Sequence, residues 1–123
     1  MRKILLTTLV ALSLAPLAAQ AQVADITRNG LFVERTSADS FRIPYRGRSG
    51  ARDFWCAAGD FVRFDLNLPG TTKIYRTSPP PRGAGEAITF SLSPQGARPT
   101  GLAVIGSPLG LSASHALLQC NNQ

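Results

Sequence analysis

The sequence predicts an α+β domain: a small antiparallel sheet made of two hairpins plus a short strand, covered by one amphipathic helix and followed by a short carboxy-terminal helix. Three observations carry that expectation. The stretch R-D-F-W-C-A-A-G-D-F-V-R-F-D-L-N-L, Arg52 to Leu68, holds the only tryptophan and three of the six phenylalanines, with apolar residues recurring at helical spacing. Four short segments rich in β-branched and aromatic residues lie in pairs on either side of it. Stretches rich in glycine and proline, such as S-P-P-P-R-G-A-G, separate these segments. A small all-β barrel with a helix is the alternative.

Two cations, Arg2 and Lys3, precede an apolar run from Ile4 to about Ala19, and Ala19-Gln20-Ala21 fits the small-x-small cleavage rule, so residues 1–21 read as a secretory signal peptide. The run is short for a membrane span of roughly 20 residues and is broken by Pro16, so no transmembrane anchor is expected after cleavage. A single domain is then expected over residues 22–123, in a periplasm or outside the cell. That length supports one modest core.

Gln22 to Gly30 reads as a loose start. Leu31 to Arg35 and Phe41 to Tyr45 read as an antiparallel hairpin, because Phe41, Ile43 and Tyr45 alternate with Arg42 and Pro44. Pro44 cannot donate to a ladder and belongs at an edge or a strand end. Ser49 is the expected N-cap of the long helix. On a helical wheel Phe54, Trp55, Ala57, Ala58, Phe61, Val62, Phe64, Leu66 and Leu68 share one side, while Gly59, Asp60, Arg63 and Asn67 fall opposite. Asp65 falls among the apolar positions, so the regular helix is expected to fray near Phe64, before Pro69 and Gly70 stop it.

Beyond that stop, T-T-K-I-Y-R-T and E-A-I-T-F-S-L read as two more strands. Between them S-P-P-P-R-G-A-G predicts a protruding loop, with Pro80, Pro81 and Arg82 at its tip. Ser93 to Gly101 reads as loop and Leu102 to Ile105 as a further short strand. In L-S-A-S-H-A-L-L-Q-C, Ala113, Ala116, Leu117 and Cys120 recur on one helical face behind a Ser112 cap.

Two cysteines, Cys56 and Cys120, in a chain bound for an oxidising compartment predict one disulfide. Closing about 65 residues is worth roughly 4 kcal/mol of chain entropy, set against a typical domain stability of about 5–15 kcal/mol. Cys56 lies beside Gly59 and Arg63 on the wheel. The chain end should therefore cover the outward or lateral face of the helix.

The formal charge is +6, and losing Arg2 and Lys3 with no acid leaves +4. Of the remaining cations only Lys73 is lysine; such an excess of arginine suits bidentate recognition of carboxylate or phosphate, or reflects coding bias. Arg42, Arg46, Arg48 and Arg52 form one concentrated feature, a candidate anion-binding patch with Tyr45 available to stack; its plain counterpart is a solvated loop.

Catalytic signals are weak. His115 is the only histidine, so a Cys56–His115 pair oriented by Asp60 defines the alternative reading, a small secreted hydrolase, which a disulfide at Cys56 opposes. Ser112 and Ser114 beside His115 are local neighbours, and no G-x-S-x-G turn is present. Asp53, Asp60, Asp65 and Glu86 are scattered acids, and Asp53 suits the first turn of a helix. No catalytic residue, metal site or cofactor is assigned. The reading is a monomeric, non-catalytic envelope or secreted binding module for an anionic or protein partner, without nucleic acid, whose second alternative is an inhibitor using the 78–86 loop.

Overall fold

A computed structural model describes residues 25–47 and 49–122. The expected signal segment and Arg48 lie outside the described residues. The six strands are β1 (Asp25–Ile26), β2 (Phe32–Arg35), β3 (Ser40–Ile43), β4 (Lys73–Arg76), β5 (Ile88–Ser91) and β6 (Gly110–Ser112). They form one open antiparallel sheet in the order β1-β2-β3-β5-β4-β6. The fold is thus α+β, and the sheet does not close into a barrel.

Two hairpins meet in the middle. β2 pairs with β3, β4 pairs with β5, and the β3–β5 ladder joins them with Phe41 opposite Phe90 and Ile43 opposite Ile88. The Phe41 and Phe90 rings stack at 5.5 Å across that ladder. The start is more ordered than expected: β1 pairs with β2 because the Thr27 hydroxyl donates to Asn29 Oδ1 and to the Leu31 carbonyl, closing a tight turn.

The long helix α1 (Ala51–Asp60) lies over this centre. Phe61 packs on Phe41 at 4.9 Å, and Trp55 meets Phe90 edge to face at 4.9 Å. With Phe54, Ala58 and Val62 from the helix and Val33, Ile43, Ile74, Ile88 and Leu111 from the sheet, they form a single buried core. The N-cap is Gly50, one residue later than expected: Ser49 Oγ instead donates to the Arg46 carbonyl, while Asp53 accepts from the Gly50 N–H at 2.7 Å.

The helix changes pitch earlier than Phe64. Phe61–Asp65 is a π turn, in which the Leu66 N–H reaches the Phe61 carbonyl at 2.9 Å. The wider turn rotates its own last residues, so Asp65 and the Phe64 ring face solvent although the wheel places them inward. Asn67, at φ +54°, takes the left-handed conformation that ends the helix.

Helix α2 (Ala113–Leu118) begins on the expected cap, Ser112 Oγ accepting from the His115 N–H. It packs against the Gly59 side of α1, and a 3₁₀ turn (Gln119–Asn122) then brings Cys120 to Cys56, with 4.9 Å between their Cα atoms. Gly59 and Asp60 are therefore buried, although they lie opposite the apolar side on the wheel. Leu102 to Ile105 forms no strand: Ile105 is wholly exposed, and the outer neighbour of β4 is β6. Gly110 makes that pairing possible, since a Cβ there would come within 2.8 Å of the Tyr75 ring.

Candidate functional site

The alternation of β4 turns Ile74 and Arg76 to the same inward side, so a guanidinium occupies a core position. Arg76 is 2% exposed. Its Nε donates to the Ser78 carbonyl at 2.8 Å, Nη1 to Thr100 at 3.3 Å and Nη2 to Pro79 at 3.4 Å. The Thr100 carbonyl also accepts from Trp55 Nε1 at 2.9 Å, so one oxygen serves donors from both helix and sheet. Gly101, at φ +77°, leaves space for this guanidinium, with which a Cβ would collide.

Arg76 has no carboxylate within ion-pair distance; among the described residues the ion pairs are Arg28–Asp60 and Arg42–Glu34. Burial, and then the nearby Arg82 charge, lower the Arg76 pKa from its usual range. An arginine nevertheless stays protonated in such surroundings. Three carbonyl dipoles thus hold a full buried charge that no acid among the described residues neutralises.

Arg82 lies beside it. Its guanidinium sits over the Tyr45 ring at 4.7 Å and the Phe54 ring at 5.2 Å. It donates to the carbonyls of Gly83, Glu86 and Ser49. Arg82 therefore folds back onto the start of α1 instead of standing at the tip of the loop, while Pro81 is exposed and the Pro80–Pro81 peptide is cis. The Glu86 carboxylate caps the Gly83 N–H at 2.9 Å and makes no ion pair with Arg82. Arg76, Pro80, Pro81, Arg82, Ala51 and Gly101 border a cavity of about 440 Å³ at the amino-terminal end of α1. Two guanidinium groups and a helix start converge on it, all of one electrostatic sign.

The arginines singled out in the sequence have separate surroundings. Arg42, on the outward side of β3, pairs with Glu34 at 2.6 Å. Arg46 lies over the Phe32 ring and donates to the Gly30 carbonyl at 3.0 Å. Arg52 faces a different groove, lined by Leu102, Val104, Ile105 and His115. Sequence reasoning missed Arg76, yet a signal exists: in K-I-Y-R the arginine shares a face with the isoleucine.

The Cys56–Cys120 bond leaves no free thiol among the described cysteines, and no group of three or more metal-ligating side chains occurs among the described residues. Among the described residues no helix is long and apolar enough to cross a membrane. No family model, curated protein or solved structure matches the chain.

Proposed function

We propose that this protein is an exported, non-catalytic binding module that takes an anionic group, carried by an envelope polymer or a protein partner, at the amino-terminal end of α1. The observation that carries this reading is the buried Arg76 guanidinium, without a carboxylate among the described residues, bordering a cavity with Arg82. A buried charge is costly unless it is paired, and an arriving carboxylate, sulfate or phosphate would supply the missing partner. Arg82 favours a planar or bidentate anion, because its fork is already fixed by three carbonyls and two rings. The exposed Arg46 adds attraction at longer range, weakened by salt.

The hydrolase alternative loses support from the disulfide at Cys56, which removes its nucleophile. The inhibitor alternative loses support from Arg82, which is turned inward. Thermal unfolding in sulfate against chloride at matched ionic strength tests the anion reading. Sulfate should raise the midpoint in a saturable manner, and Arg82→Gln should remove most of that rise. Equal midpoints in the two salts would refute it.

A further inference from the structure

The carboxyl-terminal half of the same helix carries a second cleft, of opposite character. It has a volume of about 400 Å³ and is lined by Asp60, the Cys56–Cys120 disulfide, Leu117, Arg28 and Phe64. Asp60 is 5% exposed, and its two oxygens differ. Oδ2 accepts a 3.3 Å bond from the Arg28 backbone N–H, which holds the β1–β2 turn. Oδ1 is buried and receives no hydrogen bond.

Arg28 only partly answers that need. Its Nε is 3.3 Å from Oδ1, inside ion-pair distance, but the N–H does not make a hydrogen bond to it. Its side chain is 74% exposed, and its guanidinium lies over the Phe64 ring at 4.1 Å. The surroundings lean negative: Asp65, though exposed, has a raised pKa because of partial desolvation and then the charges of Asp25 and Asp60. Asp60 and Asp65 also sit in the last turns of the helix, counting its π turn, where the backbone dipole favours a cation.

We propose that this cleft binds a small organic cation with a guanidinium or primary ammonium head. The head takes the place of the Arg28 guanidinium, donates to Asp60 Oδ1 and lies over the Phe64 ring, while its alkyl chain runs along the disulfide and Leu117. Arg28 is an internal stand-in, mobile enough by its exposure to yield the position. Cation over ring and charge-assisted bond to a buried carboxylate are the two interactions that select this chemistry over a neutral amide.

Agmatine is the probe, titrated calorimetrically into the oxidised protein. Saturable binding is expected, with a Kd on the order of 1 mM for a ligand this small. Arg28→Ala removes the competitor and should tighten binding about three- to tenfold. Asp60→Asn should weaken it at least about tenfold. N-acetyl-arginine amide, bulkier at the far end, should bind more weakly than agmatine; tighter binding would mean that the cation is presented by a protein partner and would overturn the small-ligand assignment. Absence of agmatine binding to both the wild type and Arg28→Ala, or undiminished binding to a folded Asp60→Asn, overturns the site. If Asp60→Asn does not fold, Arg28→Ala decides alone: tightening supports the site, and unchanged or weaker binding overturns it.

Discussion

Gly59→Ala should destabilise the protein, although the same change in an exposed helix stabilises. A Cβ at Gly59 would lie 2.9 Å from the Leu117 amide nitrogen, 3.0 Å from the Ala113 carbonyl oxygen and 3.0 Å from Ala116 Cβ. Comfortable contacts of this kind are about 3.5–4.0 Å, so the two helices would have to separate by several tenths of an ångström. α2 is poorly placed to yield. Its first residues bond back to the sheet side, the Ala113 N–H to the Thr72 carbonyl at 2.8 Å and the Ser114 N–H to Gly70 at 3.0 Å. Its far end is tied through the Cys56–Cys120 bond. Overpacking typically costs about 1–3 kcal/mol, while replacing a helical glycine by alanine returns about 1 kcal/mol of propensity. The difference is a loss of about 0–2 kcal/mol, and because two of the three close atoms belong to the backbone and cannot swing aside, the upper half of that range is expected, roughly 4–16 °C in midpoint for a domain of this size. Urea unfolding followed by Trp55 fluorescence measures it. The double variant Gly59→Ala, Ala116→Gly should recover part of the loss, with a coupling of at least about 0.5 kcal/mol. A Gly59→Ala protein as stable as the wild type, or more so, would mean that α1 and α2 do not approach this closely.

The crosslink and the acidic end of the helix give two more expected outcomes. Cys56→Ser and Cys120→Ser should lower stability by similar amounts, up to about 4 kcal/mol, because each removes the same 64-residue closure; a marked difference between them in denaturant titrations would contradict that shared cause. The raised Asp65 pKa means that its protonated form is favoured in the fold, so its contribution is present below the usual carboxylate range and is lost as pH rises through the raised value. Asp65→Asn, which cannot ionise, should accordingly gain on the wild type as pH rises through and above the usual carboxylate range, and parallel stability curves across that rise would contradict the assignment.

Much of the fold was legible because local and long-range signals agree. Phe41 and Ile43, and likewise Ile88 and Phe90, alternate in sequence and then lie opposite one another in the central ladder. The Ser112 cap needs only a hydroxyl three residues before a free N–H, so it survives any tertiary context. The edge of the sheet was less readable. Leu102 to Ile105 has the composition of a strand, but Gly110–Ser112 occupies that edge, with Gly110 leaving room for the Tyr75 ring opposite it. A helical wheel assumes 3.6 residues per turn throughout, and the π turn breaks that assumption for Phe64 and Asp65. The candidate site was hidden for a related reason. A run of arginines near Arg46 draws the eye, whereas the buried arginine of β4 stands alone and is revealed by strand parity.

The Thr100 carbonyl has a consequence for how this protein should be probed. Indole and guanidinium converge on an atom of the main chain, so the residue type at position 100 contributes little to that junction. Alanine scanning there would remove the Thr100 hydroxyl, which accepts from the Leu102 N–H at 3.2 Å, and would leave the carbonyl junction itself untouched. Replacing the amide that succeeds Thr100 with an ester, by chemical synthesis, weakens the acceptor itself and would expose how strongly the long 93–109 connection is moored.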